Sequence, residues 1–579
     1  MPLMGSLYIG SSGLQTSQNA LNTTAHNLSN VDTTGYTRQQ VQQSNRAYVT
    51  LSTDPKSIAN KQTGLGVTYS RVKQVRDYFL DKTYRKESGR SMFYEVSTEV
   101  MEEVESQLGE LNGEAFQTTM TDFWTAVQEL SKDPSSSVTQ GLIVQRASEF
   151  VQRASAVYAG LSSYQDNLNT QIRQNVDKIN KYGNQLLTLN DQIRAIESGG
   201  IEHANDLRDA RNQILDELAE LTNMSFSEDR YGSVSVQIEG VDFVKDGTCY
   251  EIALKTDEAT GFVTPFWPMN ASYTTRDDGT RVYNIDGAEV FDLSIEISSD
   301  LGGLKAMLLA RGDHRANYTD LAEGKYDSVS QSVVMNIQGE FDQMIHNVVT
   351  KINDILAEAA GVQSGDLELA DGTTLKNAKY CAVDSDGYMR MEDGTPIQLF
   401  TKVTTDGYRK VTGKDGKDYW VMNEEKADSP ESLYTIGNLQ VNSIGNLQVN
   451  SALMQEPSKL GFRLADGSED KKTADALKAA FTEESYTLNP NVQKKTTFVD
   501  YYTDLVSQVA NSGYVFRSIY ENQVNTVEAT QSAREQVVGV STDEELSNMI
   551  KFQNAYNASS RYINVISEML EHIISTLGV

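Results

Sequence analysis

Histidine, cysteine and carboxylate side chains carry most enzyme and metal chemistry, and in this chain they form no known catalytic or metal-binding motif. The sequence has no His-Glu-x-x-His segment, no Cys-x-x-Cys pair and no Gly-x-Ser-x-Gly turn. These motifs are typical of zinc, redox and serine-hydrolase sites. The histidines are scattered, at positions 26, 203, 314, 346 and 572. We therefore predict no enzymatic activity, no cofactor and no bound metal.

Three short segments partly resemble ligand-binding loops. Asp384-Ser-Asp386-Gly387 has the acidic residues of a calcium loop, but its glycine is fourth where an EF-hand needs it sixth. Residues 413–417 lack the spacing of a phosphate-binding loop, and residues 64–66 lack the third glycine of a dinucleotide motif. We interpret all three as turns. Because carboxylates are plentiful, a secreted enzyme with its site in the β-rich segments stays open as an alternative.

The charge balance excludes two classes of partner. Lys and Arg number 50 and Asp and Glu number 80, so the formal net charge is −30. Nucleic acids and anionic membrane surfaces are bound mainly through Lys and Arg, so neither is expected as a partner. No apolar run approaches the roughly 18 residues of a membrane span, and no Sec signal is recognisable. Cys249 and Cys381 allow one disulfide, but two free thiols are favoured.

The elements that must position any functional surface are long helices. Only nine of the 579 residues are proline, which leaves residues 56–133, 135–264, 269–395 and 491–579 free of it. An interior proline costs a helix about 3 kcal/mol, so these stretches favour helices. Apolar residues three or four apart predict the interior helices. They are expected around 75–110, 115–131, 138–165, 172–196, 207–221, 329–355 and 498–536.

Both ends of the chain repeat apolar residues at intervals of seven. The N-terminal repeat consists of Leu7, Leu14, Leu21 and Leu28. The C-terminal repeat consists of Met549, Tyr556, Ile563, Leu570 and Leu577. This spacing predicts that the two ends form coiled-coil helices that pack together.

The ends also carry few charges. Residues 1–60 and 525–579 hold 15 charged side chains in 115 residues, whereas 22% of the whole chain is charged. An exposed coiled coil carries charges on its outer positions, so uncharged outer positions favour helices with neighbours on all sides. We therefore expect the ends to pack in an assembly. A bundle inside one monomer is the alternative that the pattern leaves open.

The predicted fold class is multidomain and mainly α, with a discontinuous terminal coiled coil, a helical bundle and two inserted β-rich modules. The coiled-coil domain comprises 1–60 and 525–579. The bundle comprises 61–225, 301–370 and 452–524. Asp-Gly pairs between short mixed strands, a strong hairpin signal, define modules at 226–300 and 371–451. The second module ends in an octapeptide, 436–443, that is repeated without change at 444–451.

Two stretches of motif residues stand at the ends of the chain. His26-Asn27-Leu28-Ser29-Asn30 and Thr34-Gly35-Tyr36-Thr37-Arg38 lie near the N-terminus, and Asp543-Glu544-Glu545, Gln553 and Ala555-Tyr556 lie near the C-terminus. They resemble the signatures of the flagellar rod, hook and hook-associated protein family. The positions that match its motif most directly are Asn27, Asn30, Gly35, Tyr36, Arg38, Gln553 and Tyr556.

Interior motifs refine this resemblance. Segments within 64–80, 123–134 and 189–209 are similar to those of the family branch at the junction of hook and filament. Two departures are visible, since Thr34 replaces a common proline and Asn212 stands near a position that is usually acidic. A hook or distal-rod subunit, the alternative within the family, shares the ends but not these interior motifs.

The resemblance implies a structural axial protein, not an enzyme, that joins hook to filament as a ring built through its terminal helices. The heptad residues at the two ends would be the assembly residues. The implied partners are copies of the chain in a homo-oligomeric ring, hook protein on one side, a second hook-associated protein on the other, and an export chaperone on the C-terminal helix. The implied location is the bacterial flagellum outside the cell, reached through the flagellar type III apparatus without a cleaved signal.

Overall fold

The fold is mainly helical, with small antiparallel sheets between the helices. The computed structural model describes residues 2–53, 60–109, 116–199, 202–276, 281–285, 291, 293, 299–383, 389–403, 407–423, 447–464 and 466–577. The helices are α1 (Pro2–Ser29), α2 (Tyr78–Leu108), α3 (Phe116–Lys132), α4 (Ser137–Glu197), α5 (Asn205–Leu221), α6 (Gly303–Arg311), α7 (Tyr326–Val329), α8 (Val333–Ala359), α9 (Ser451–Gln455), α10 (Lys471–Thr482), α11 (Phe498–Val538) and α12 (Thr542–Leu577).

The strands fall into three groups along the chain. The first comprises β1 (Gln39–Asn45), β2 (Val49–Thr53), β3 (Asn60–Thr63) and β4 (Val67–Gln74). The second comprises β5 (Met224–Glu228), β6 (Val234–Ile238), β7 (Val241–Lys245), β8 (Thr248–Cys249), β9 (Ala253–Thr256), β10 (Val263–Phe266), β11 (Ser272–Thr275) and β12 (Arg281–Asn284). The third comprises β13 (Gln363–Glu368), β14 (Thr374–Ala382), β15 (Phe400–Lys402), β16 (Tyr408–Thr412), β17 (Asp418–Met422) and β18 (Leu447–Val449).

Helix α4 is a single helix of 61 residues, where the sequence predicted two shorter ones. At 1.5 Å per residue it is roughly 90 Å long. Leu161 before the predicted break and Leu168 within it are both buried, and polar Gln165, which lies between them, is buried as well. Ser136 begins the helix by accepting a hydrogen bond from the Val138 N–H.

The bundle core lies where α2, α3, α4, α8, α10 and α11 meet. Aromatic rings from separate helices pack at its centre. The ring of Phe116 lies 4.9 Å from that of Tyr502 and 5.2 Å from that of Phe341, between centroids. These distances fit the tilted and edge-on geometries that aromatic pairs prefer. The core therefore joins chain segments that are almost 400 residues apart.

The two β-rich segments form hairpins where Asp-Gly pairs predicted them. Strands β5-β6-β7-β8 form one four-stranded antiparallel sheet, and β13-β14-β17-β16 form another. Asp246 and Gly247 link β7 to β8, with positive φ at both residues, as a two-residue hairpin requires. The pairs at 278, 286, 386 and 406 lie wholly or partly outside the described residues. Cys249 and Cys381 are both free thiols.

Strands β15 and β18 pack in the helical bundle, although the sequence predicts residues 371–451 as an outer module. They pair with each other, and their Phe400, Leu447 and Val449 side chains join the bundle core. Strand β18 belongs to the second copy of the octapeptide, while the first copy lies outside the described residues. The predicted domain boundaries otherwise stay a prediction.

Strands β1 to β4 form two β-ladders that the sequence did not predict. Strand β1 pairs with β4, and β2 pairs with β3. Gly66, which precedes β4, has a φ of +83°, and a Cβ there would lie 2.2 Å from Ser12 Oγ on α1. The Val67 N–H donates to that same Oγ at 3.2 Å. The ladder is thereby held against the N-terminal helix.

Asparagine side chains on the helices bind the β segments through both the oxygen and the nitrogen of their amide groups. Asn180 shows the pattern, because its Oδ1 accepts from the Ile252 N–H and its Nδ2 donates to the Ile252 carbonyl, both at 2.9 Å. One amide thus satisfies both backbone groups of a segment that has no strand partner there. The helix asparagines with this arrangement are Asn27, Asn169, Asn180, Asn190 and Asn353.

We expect Asn180→Asp to destabilise the chain by about 1–3 kcal/mol, because a carboxylate cannot donate to the Ile252 carbonyl and repels it. Asn167→Asp, at an exposed site on the same helix, introduces the same charge and should change stability little. Thermal unfolding of the two purified variants measures the difference. Equal stability of both would show that the amide of Asn180 does not hold the β segment.

Glu340 is a fully buried carboxylate in the bundle. It accepts hydrogen bonds from Asn489 Nδ2 at 2.6 Å, Asn336 Nδ2 at 3.1 Å and Gln508 Nε2 at 3.2 Å. Burial raises its pKa to about 7, and these amide donors only partly offset that rise. The folded chain therefore holds a proton on Glu340 at pH values where the unfolded chain, with a pKa of 4.5, has lost it.

This shift makes stability depend on pH. The contribution of Glu340 is fully present below about pH 4.5 and is lost as the pH rises through 7, because the native state then has to bury the charge. Glu340→Gln should match the wild type at pH 5 and exceed its stability by up to about 3 kcal/mol at pH 8. Unfolding by urea at both pH values measures this. Glu358→Gln, at an exposed site on α8, should show no such difference.

Candidate assembly site

Helices α1 and α12 pack against each other in antiparallel orientation. A Cβ at Gly10 would lie 2.6 Å from Ile563 Cγ1, and one at Gly13 would lie 2.8 Å from Ser559 Oγ. Asn27, near the end of α1, contacts Glu545, near the start of α12. The chain termini thus form one helix pair, and glycines let the two backbones approach closely.

The N-terminal heptad residues Leu7, Leu14, Leu21 and Leu28 are all half-buried in this pair. The residues three places after the first three of them, Gly10, Ser17 and Thr24, are buried. The seam on α1 thus alternates leucine with small residues, and the small residues lie deepest. The heptad pattern of apolar residues did not identify these positions, because their small side chains are not apolar.

The C-terminal heptad residues Met549, Tyr556, Ile563 and Leu570 are also half-buried. Ile566, at the intervening position, is 6% exposed. The side chain of Leu577 lies outside the described part of the chain. The predicted seam positions thus lie together on one helix pair, but they are only partly covered within a single copy. Whether they are the assembly residues stays a prediction.

The rest of the pair presents apolar side chains to solvent. Ile574 is 69% exposed, Ile550 60% and Tyr8 59%. Other exposed apolar side chains on the two helices are Met4, Ile9, Leu546, Tyr562, Val565, Met569 and Ile573. A cluster of this kind marks a surface that binds another protein. Because few charges interrupt it, the matching surface must also be largely uncharged.

Asn27 lies at the centre of the contact between the two chain ends. Its Oδ1 accepts from the Tyr36 hydroxyl at 2.7 Å and from the Gln39 N–H at 3.0 Å. Its Nδ2 donates to the Gln39 carbonyl at 2.8 Å and to Glu545 Oε2 at 3.2 Å. All four hydrogen-bonding positions of the amide are therefore used, and Asn27 itself is 1% exposed.

Arg38 joins the same region to the start of α12. Its guanidinium contacts Glu544 at 2.8 Å and Glu545 at 2.9 Å, while its backbone N–H donates to the Val538 carbonyl at the end of α11. Acidic residues in the first turn of α12 suit the partial positive charge of a helix N-terminus. Motif residues from both ends, Asn27 and Arg38 with Glu544 and Glu545, therefore meet at one point of the structure.

The other motif residues shape the loop that leads into this contact. Gly35 has a φ of +79° in the tight turn between Thr33 and Tyr36, a conformation that favours glycine. The Asn30 Nδ2 donates to the His26 carbonyl at 2.9 Å, which closes the end of α1. Burial, followed by the nearby carboxylates, raises the pKa of Tyr36 and keeps it a hydrogen-bond donor. Gln553 is exposed on α12, away from this loop.

The terminal pair joins the rest of the chain through polar contacts. The apolar clusters of the described residues all lie between Met92 and Phe516, outside α1, α12 and the first β-ladders. Asp209 on α5 accepts from the Thr37 N–H at 3.2 Å and from Gln74 Nε2 at 2.8 Å. Burial raises its pKa to about 6, so the folded state favours protonated Asp209 and the contribution of this group to stability falls as the pH rises through 6.

Ion pairs extend this joint into the bundle. Arg534 on α11 contacts Asp81 at 3.1 Å and Asp216 at 2.6 Å. Arg76 forms a bidentate ion pair with Asp81. Arg85, 4% exposed, pairs with Asp216 at 2.7 Å. These pairs lock α2, α5 and α11 together at the base of the terminal pair. They were not predicted, because residues distant in sequence give no spacing signal.

The chemistry of this region is that of packing and hydrogen bonding. Within the described ranges, no group of three or more His, Cys, Asp or Glu residues is arranged to hold a metal ion. None of the helices described here is both long and apolar enough to cross a membrane.

Known protein families match this chain at both ends and in its interior. The family "Flagellar hook-associated protein FlgK helical domain" matches residues 101–368. "Flagella basal body rod protein" matches residues 7–37, and "Flagellar basal body rod FlgEFG protein C-terminal" matches residues 531–576. The two rod families thus cover most of α1 and α12, and the hook-associated family covers the interior from residue 101 to residue 368.

Relatives extend the match to nearly the whole chain. Flagellar hook-associated protein 1 of Bacillus subtilis is 24% identical over 98% of this chain and 97% of its own length. The chain belongs to the flagellar hook-associated protein 1 family. Members from Salmonella typhimurium and Escherichia coli are 24% and 22% identical, each over 97% of this chain and 98% of their own length.

A solved structure from the hook-associated family is also similar. It is the flagellar hook junction protein FlgK from Burkholderia pseudomallei, with a TM-score of 0.48 and 13% identity. The match covers 80% of this chain and all of that structure. The relatives named here are flagellar hook-associated or hook junction proteins.

Proposed function

We propose that this chain is a structural adaptor at the junction of hook and filament, where copies assemble into a ring through their terminal helices. The observation that carries the proposal is the α1–α12 pair, whose seam is only half-buried and whose outer faces expose apolar side chains. Packing such pairs side by side removes these faces from water and stabilises the assembly by roughly 25 cal/mol per Å² of apolar surface. The printed names of the relatives place them at the hook.

The ring contacts are heterologous in this proposal. The exposed faces of α1 and α12 differ in sequence, so each copy presents one face to one neighbour and another face to the next. The assembly residues are Leu7, Leu14, Leu21, Leu28, Met549, Tyr556, Ile563, Leu570 and Leu577. They hold the pair together, and the outer side chains hold pairs to one another.

The proposed position between hook and filament determines which proteins the ring contacts. Hook protein contacts one side of the ring and a second hook-associated protein contacts the other, so that two unlike polymers are joined. Before assembly the apolar face of α12 is exposed to water, and an export chaperone bound to α12 shields it. Export through the flagellar type III apparatus then delivers the chain to the outside of the cell without removal of a signal.

Electron microscopy of cells that lack this gene, with flagellin assayed in the medium, tests the placement. Bare hooks together with free flagellin support a role at the junction. Absent hooks would instead support the alternative, a hook or distal-rod subunit, which the rod-family matches at the two ends make the nearest rival. Normal filaments would contradict both.

A further inference from the structure

Helix α2 carries a pair of lysines and a pair of glutamates that make no ion pair with any residue that the structure describes. Lys82 and Lys86 are exposed, and neither lies within 4.0 Å of a carboxylate of any described residue. Glu95 and Glu99 likewise make no ion pair with a described Lys or Arg. Unpaired charges at this spacing repel each other within each pair, so each pair lowers the stability of an isolated helix slightly.

The lysines line a groove between α2, the end of α5 and β5. Arg85, Met224 and Phe226 also line it, and the lining includes no carboxylate. Arg85 is buried, its Nη1 makes no hydrogen bond within the described structure, and its guanidinium lies 4.3 Å from the centre of the Phe226 ring. In a chain with a net charge of −30, a groove lined by two lysines that make no ion pair, and by no carboxylate, is suited to receive carboxylates.

Strand β5 borders this groove with Met224, Ser225 and Phe226. Strand β5 is at the edge of its sheet and pairs only with β6. The Phe226 carbonyl accepts from the Tyr78 hydroxyl on α2, so the outward backbone groups of β5 face α2. An edge of this kind gives N–H groups that orient an acidic side chain between the two lysines.

The glutamates form the opposite kind of surface. Glu99 is exposed, and burial followed by the charges of Glu95 and Glu102 raises its pKa. Burial, the charges of Glu95 and Glu99, and a hydrogen bond with Glu95 raise the pKa of Tyr520 on α11. Glu102 has Arg517 as partner at 2.6 Å, whereas Glu95 and Glu99 have no cation to offset their repulsion. A cation from outside the chain would relieve it.

The two pairs stand in a fixed geometrical relation. Lys82 and Lys86 are four residues apart, as are Glu95 and Glu99, and 13 residues separate the corresponding members. At 100° and 1.5 Å per residue, the two pairs lie roughly 140° apart around α2 and about 20 Å apart along it. One rigid helix thus presents matched charges of opposite sign on different sides, which is what a heterologous contact between identical copies requires.

We propose that Lys82 and Lys86 of one copy bind Glu95 and Glu99 of the next copy in the axial assembly. This contact rests on the proposed function, since it assumes an assembly of copies, and it adds a second layer of contact outside the terminal helices. The terminal helices supply apolar area, and the α2 contact fixes the orientation of neighbouring copies, because charged pairs discriminate between alternative alignments.

Charge reversal in cells that lack the gene tests the contact. One variant is Lys82→Glu with Lys86→Glu, and the other is Glu95→Lys with Glu99→Lys. Each alone places like charges opposite each other, so each should lower the fraction of hooks that carry filaments by about tenfold. Expressed together the two variants have complementary surfaces, and so does one chain with all four changes. Both combinations should restore filaments.

Controls separate this contact from folding, export and the proposed function. Each variant should be found in the medium and should unfold at the wild-type temperature when purified, and Lys471→Glu with Lys472→Glu should leave filaments normal. Reversals without effect, or no restoration by either combination, would overturn the contact while leaving the junction role intact. Failure of the wild-type gene to restore filaments to the deletion strain would instead overturn the junction role.

Discussion

Replacing Asn27 by aspartate will weaken the docking of α1 on α12 by about 3 kcal/mol. The amide donates to the Gln39 carbonyl and to Glu545, and a carboxylate at the same place would set oxygen against oxygen in both contacts. The site is 1% exposed, so water cannot fill the missing donor positions. The Tyr36 hydroxyl and the Gln39 N–H would still donate, but they cannot offset a second carboxylate beside Glu545.

Hydrogen exchange on the purified protein measures this loss. Amides of α1 and α12 should exchange about a hundredfold faster in Asn27→Asp, because each 1.4 kcal/mol changes an equilibrium tenfold. Amides of α3 and α4 should be unchanged, since the bundle core includes no residue of α1 or α12. Asn22→Asp is the matched control, since it adds the same charge at an exposed site of α1. Equal exchange in both variants would show that Asn27 does not hold the helix pair.

The helices could be predicted because their cause is local. Spacing of three and four places one apolar stripe on each helix, and that stripe is buried in α5, α8 and α11 as expected. Helix α11 ends at Val538, within two residues of the predicted end. The sequence did not predict that α4 is one continuous helix, because polar residues interrupt its apolar stripe near Gln165. In the structure Gln165 is buried, and its side chain donates a hydrogen bond to the Arg311 carbonyl.

The β segments were predicted only where a turn has a distinctive sequence. Asp-Gly pairs identify hairpins because few other residues adopt positive φ. Strands β1 and β4 have no such pair and alternate weakly, so nothing local separates them from a loop. Their fold depends on contacts with α1, such as the bond from Asn27 to Gln39, and these contacts are not visible in a local pattern.

The sequence predicted the two helices of the candidate assembly site but not the contacts that hold them together. The heptads located both helices, since period seven is a property of the sequence. The deep positions of the seam on α1 are Gly10, Ser17 and Thr24, which an apolar pattern ignores. Their role appears only when the distance between the helices is known, because a small residue is favourable only where a partner approaches closely. The network around Asn27 and Arg38 had no spacing signal other than the family motif.

Replacing Leu570 by aspartate will abolish assembly while the rest of the chain stays folded. Leu570 is half-buried on α12, one heptad beyond Ile563, which packs against Gly10. Aspartate there places a charge in a seam whose neighbours are apolar or small, and no described basic side chain of α1 can pair with it. In the proposed ring the cost is larger than in the monomer, because neighbouring copies would exclude the remaining water from the charge.

The bundle and the β segments do not depend on Leu570, since their apolar clusters lie between Met92 and Phe516. Purified Leu570→Asp should therefore unfold at the wild-type temperature, while cells that produce it should release flagellin and fail to swim. Leu570→Met, which keeps the volume and the apolar character, should swim normally. Normal motility of Leu570→Asp would mean that the seam is not an assembly surface. Loss of motility in both variants would mean that this position tolerates only leucine, and the charge would then not be the cause.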